Sequence, residues 1–62
     1  MIIINCVSNG KRFSKVFDSV KMARNFILRC GFGKKVIILD YETSYYDEQV
    51  NKELNWALWK AR

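Results

Sequence analysis

Histidine and proline are both absent from the 62 residues, and cysteine occurs only twice. Without histidine there is no Ser-His-Asp or Cys-His catalytic arrangement, no imidazole metal ligand and no side chain with an ordinary pKa near neutrality. Two cysteines cannot close a structural zinc site, which takes four N or S ligands. Long apolar runs are missing too. Runs such as Ile2-Ile3-Ile4 and Val36 to Leu39 fall far short of the roughly 20 residues of a membrane span. The start carries neither the basic segment nor the longer apolar stretch of a signal peptide. The expectation is a cytoplasmic protein without a membrane partner. With no nucleophile–base pair and no cofactor loop, it is also expected not to be an enzyme and to need neither cofactor nor metal.

What is present describes a globular chain: half the residues are apolar and 27% are charged, unlike the weakly hydrophobic composition of a disordered segment. No linker, repeat or low-complexity tract interrupts it, so residues 1–62 read as a single small domain. At this size one core supplies only about 3–5 kcal/mol.

The strongest local signal is Asn9-Gly10, between Ile2 to Val7 and Arg12 to Phe17. A two-residue type I′ turn needs positive φ at both central positions, which Asn-Gly tolerates. The turn sets a register in which Val7 faces Arg12, Cys6 faces Phe13, Ile4 faces Lys15 and Ile2 faces Phe17. Ile2, Ile4, Cys6, Phe13 and Phe17 then share one face with Lys15, while Ile3, Asn5, Val7, Arg12, Ser14 and Val16 share the other. Beyond Phe17 the period changes. Asp18 or Ser19 can cap a helix carrying Val20, Ala23, Phe26, Ile27 and Cys30 on one side, with Gly31 as its C-cap. Val36 to Leu39 predicts a short buried strand. Thr43 or Ser44 opens a second helix, with Asp47 or Glu48 in its first turn and Val50, Leu54, Ala57, Leu58 and Ala61 as its apolar stripe. The expected fold is α+β, β-β-α-β-α. It has a three-stranded antiparallel sheet in order 2-1-3 and both helices on one face, the alternative being one helix on each face.

The charge is unevenly spread. Residues 1–39 hold Lys11, Arg12, Lys15, Lys21, Arg24, Arg29, Lys34 and Lys35 against Asp18, a net +7. Residues 40–62 hold Lys52, Lys60 and Arg62 against Asp40, Glu42, Asp47, Glu48 and Glu53, a net −2. Threaded through the topology, Lys11, Arg12, Arg29, Lys34, Lys35, Lys60 and Arg62 gather at the hairpin end and the acids at the other. A basic pole attracts polyanions, phosphate backbones above all, and backbone N–H groups at Gly31 and Gly33 would suit phosphate contact. The same net charge also serves plain solubility. No RNP pattern, GXXG loop or zinc finger accompanies it.

On the second helix Trp59 points about 180° and Trp56 about 120° away from Val50, beside Lys52 and Lys60. They can form a contact surface for a partner, a second copy or a stacked base, or a wide buried face of the helix can absorb them. Tyr41, Tyr45 and Tyr46 are expected to pack where the third strand meets this helix. Cys6 and Cys30 fall on core faces as small buried hydrophobes. Asp40 with Glu42 and Asp47 with Glu48 are expected to shape a turn and a helix N-terminus, and lack the spacing of a calcium loop. A short Ile/Asn/Lys/Tyr-rich chain starting directly with a strand is similar in format, though in no motif, to small accessory proteins of phages and other mobile elements. That likeness implies a stoichiometric binder acting on a larger machine.

Two readings follow. The first is an accessory protein that binds nucleic acid or another polyanion, such as an acidic protein surface, using Lys11, Arg12, Lys21, Arg24, Arg29, Lys34 and Lys35. The second is a protein-binding regulator or inhibitor, or a homodimer, docking through Trp56, Trp59, Lys52 and Lys60.

Overall fold

The computed structural model describes residues 1–33, 35–44 and 47–61. Its elements are β1 (Ile2–Ser8), β2 (Lys11–Phe17), α1 (Val20–Gly33), β3 (Ile37–Thr43) and α2 (Glu48–Ala61). The sheet is antiparallel in order β2-β1-β3, as the sequence predicts. Asn9 and Gly10 adopt φ of 54° and 77°, the positive values a type I′ turn demands. The hairpin register matches the expected one from Ile2↔Phe17 to Ser8↔Lys11.

That register delivers Ile2, Ile4 and Cys6 to one side of the central strand, where all three are fully buried. Ala23 and Ile27 of α1, Ile38 of β3, and Leu54, Ala57 and Leu58 of α2 complete the core. Both helices therefore cover the same face, and the alternative of one helix on each face is set aside. Phe17 of edge strand β2 packs on Phe26 of α1, with ring centroids 5.2 Å apart. Burying an Ile or Leu side chain stabilises by about 1.5–3 kcal/mol, so Ile2, Ile4, Ile27 and Leu54 are each large beside the domain's net stability.

Several local expectations are corrected. The third strand is not the run Val36 to Leu39 but Ile37–Thr43. Asp40 and Glu42 are therefore strand residues and not a turn. The pairing passes from Asn5↔Asp40 to Cys6↔Ile38, leaving Leu39 as an extra residue in β3. This bulge re-phases the strand so that Ile38 points inward with Cys6 while Asp40 points outward with Asn5. The second helix is not opened by Thr43 or Ser44. Asp47 caps it, its Oδ1 accepting the Gln49 N–H at 2.9 Å and its carbonyl the Asn51 N–H at 3.2 Å. Ser19 caps α1, its Oγ accepting the Met22 N–H at 3.4 Å. Tyr41 packs from β3 onto α2, its hydroxyl 3.0 Å from the Oδ1 atoms of both Asn51 and Asn55. Tyr45 and Tyr46 lie outside the described residues.

Gly31 is not a C-cap: α1 runs through it to Gly33. It is needed for close approach, because a Cβ there would lie 2.5 Å from the Ala61 Cβ and 2.6 Å from the Ala61 Cα. Inside a helix its N–H belongs to the helical ladder, so only the connection beyond it can present free backbone donors. A Cβ on Gly33 meets nothing within 4 Å.

Gly31→Ala should lower stability by about 1–3 kcal/mol through overpacking, despite the roughly 1 kcal/mol by which alanine favours a helix over glycine. Gly33→Ala should leave the melting temperature unchanged or raise it. Thermal denaturation of the two variants side by side checks this, and equal effects would rule out the close contact.

Candidate functional site

Two contacts show how the helices run. Arg24 Nη1 of α1 lies 3.6 Å from Glu53 Oε1 of α2, and further along Gly31 meets Ala61. The helices are therefore parallel, and both end at the hairpin end of the sheet. Ser8 Oγ donates to the Lys35 carbonyl at 3.2 Å, which holds the entry to β3 at that same end. Four pieces of chain meet there: the hairpin tip, the end of α1, the start of β3 and the end of α2.

These pieces bring together Lys11, Arg12, Arg29, Lys35 and Lys60, all exposed. None forms an ion pair with a described acid; the ion pair in the described residues is Arg24–Glu53. Lys34 and Arg62, expected at the same pole, lie outside the described residues. Parallel helices also aim both C-termini here, each equivalent to about −0.5 charge. That offsets roughly one of the five cations, so helix-dipole compensation does not account for the cluster.

The other expected cations are placed elsewhere. Lys21 is exposed in the first turn of α1, at the opposite end of the molecule. Arg24 is half-buried against Glu53, so it belongs to the helix–helix contact and not to an open binding surface. Lys52 lines a shallow groove of about 380 Å³ with Arg24, Gln49, Glu53 and Trp56. Among the acids, Asp47 and Glu48 sit at the N-terminus of α2, where the helix dipole favours them. Asp40 does not join them: Asn5 Nδ2 donates to its Oδ1 at 2.5 Å in mid-sheet, and Ser14 Oγ donates to Asn5 Oδ1 at 2.7 Å.

The tryptophans are not absorbed into the core. Trp56 is 48% and Trp59 71% exposed, as their angles from the apolar stripe predict. The Lys60 ammonium lies 5.9 Å from the Trp59 ring centroid, within cation–π reach. Phe32, not singled out from the sequence, is 75% exposed at the end of α1. Its signal is helical phase: Phe32 falls about 140° from Ile27, but only if the helix extends past Gly31.

Both thiols are unpaired, Cys6 buried and Cys30 half-buried. Burial pushes the Cys6 thiol up, the neighbouring Cys30 adds to this, and Lys15 opposes it. Burial also raises Cys30 against Arg29, and raises Tyr41. A raised thiol pKa disfavours the thiolate nucleophile. Among the described residues no three His, Cys, Asp or Glu side chains gather to hold a metal, and no helix is long and apolar enough to cross a membrane. No family model, curated protein or solved structure matches the chain.

The raised thiol and phenol values mean that the native state keeps protons the unfolded chain would release. Their stabilisation is complete below the unfolded thiol range of about pH 8.5 and is lost as pH rises through the folded values. The melting temperature should fall above about pH 9, and less steeply in Cys6→Ala with Cys30→Ala. Equal slopes for variant and parent would refute the assignment to the thiols.

Proposed function

We propose that the protein is a non-enzymatic accessory binding protein whose basic end contacts nucleic acid. The observation that carries this reading is the meeting of Lys11, Arg12, Arg29, Lys35 and Lys60 at one end, exposed and unpaired with any described acid. Like charges held together with too little counter-charge cost energy by mutual repulsion, and a phosphate backbone relieves it while releasing condensed counterions. The lack of histidine and the raised thiol values support a binding role over catalysis.

A second reading is favoured by the exposure of Trp56 and Trp59. It is a regulator of a larger machine that docks on a protein partner, since exposed aromatics anchor interfaces.

Fluorescence anisotropy with a labelled oligonucleotide separates the two. Engagement of about four phosphates gives a slope near −3 to −4 for log affinity against log salt. Lys11→Glu combined with Lys35→Glu should weaken binding and make that slope shallower by about two. No binding at low salt, or an affinity indifferent to salt, overturns the nucleic-acid reading. A nuclease-resistant protein partner that is lost in Trp59→Ala would replace it with the second.

A further inference from the structure

Phe32 and Trp59 are the two most exposed large apolar side chains of the described residues, at 75% and 71%. Large aromatics are usually mostly buried, and neither has a role in the core. Both sit at the ends of the two parallel helices, where Gly31 touches Ala61. The Cβ, Cα and carbonyl oxygen of Ala61 all lie close to Gly31, so the two helix ends meet there. The rings therefore stand near the two helix ends, at the same end of the molecule as Arg29, Lys35 and Lys60.

We infer that the ligand of this end is single-stranded nucleic acid, whose unpaired bases stack on Trp59 and Phe32 while Lys60, Lys35 and Arg29 hold its phosphates. This rests on the nucleic-acid reading above and narrows it. A duplex keeps its base faces inside its own stack and offers such a surface only phosphates and groove edges. A single strand offers phosphates and free base faces together, and both kinds of receptor are present here. Lys60 over the Trp59 ring, at 5.9 Å, repeats the arrangement of a nucleotide, which carries a flat base on one side of its sugar and an anionic phosphate on the other. Stacking on an aromatic face tolerates any base, so the surface reads strandedness and not sequence.

The same end could instead hold only a generic anion site with idle aromatics, and the test separates these. Oligothymidine of about 12 nucleotides and a duplex of equal length are titrated at low salt. Binding is followed by anisotropy and by quenching of the protein's own tryptophan fluorescence. The single strand should bind about tenfold or more tightly than the duplex and should quench the fluorescence. Trp59→Leu and Phe32→Leu should each weaken single-strand binding about tenfold, leaving the duplex affinity and the salt slope unchanged. Trp59→Phe should restore part of the loss, because it keeps a ring at that position. Equal affinity for strand and duplex, unaffected by Trp59→Leu and Phe32→Leu, would overturn the stacking assignment while the polyanion reading stands. No binding of either nucleic acid would overturn both.

Discussion

The contact between Gly31 and Ala61 decides how this small domain is arranged. A helix pair that had to accommodate a Cβ at residue 31 would be wedged apart at its far end, because the opposing atoms are the Ala61 backbone and Cβ. Close packing there lets α1 and α2 share the single buried face of a three-stranded sheet. Ala23 of α1 and Ala57 of α2, both fully buried, are small members of the same core. A small core leaves little alternative: each helix supplies only a few large side chains, so the elements must approach closely to exclude water.

The same constraint organises the charge. Chain order forces β2 and β3 to run the same way and both helices to run back, so every helix C-terminus and every strand entry except that of β1 falls at one end. Lys60 there partly complements the dipole of α2, and Asp47 and Glu48 complement the start of the same helix at the other end. Lys11 and Arg12 come from β2 and Lys35 from the connection that enters β3, and together they exceed what two half-charges can balance. The uncovered sheet face differs in kind. Its centre is a hydrogen-bonded chain from Ser14 through Asn5 to Asp40, in which polar side chains of three strands bond to one another.

Much of this was legible from local chemistry. Asn9-Gly10 specifies a turn, the turn specifies the register, and the register selects Ile2, Ile4 and Cys6 as the inward set. The α2 stripe was legible because its period is unbroken from Val50 to Ala61. The failures share one cause: they depend on contacts distant in sequence. Gly31 has the look of a helix stop, and only Ala61, thirty positions away, makes it a packing residue. Arg24 counts as a free cation until Glu53 is placed beside it. Asp40 resembles a turn residue until a bulge at Leu39 carries the strand past it. Phe32 was overlooked as a consequence of ending the helix at Gly31, since a residue in a loop has no helical phase to read.

The central claim is that one end of the molecule, and not the sheet face or the helix groove, is the binding surface. Backbone and indole N–H shifts recorded by nuclear magnetic resonance during titration with oligothymidine test it most directly. The account predicts perturbations at Lys11, Arg12, Arg29, Phe32, Lys35 and Lys60 and at the Trp59 indole, with Asn5, Ser14, Asp40, Asp47 and Lys21 unmoved. Shifts centred on Asn5, Ser14 and Asp40, or on the groove beside Lys52 and Trp56, would contradict it.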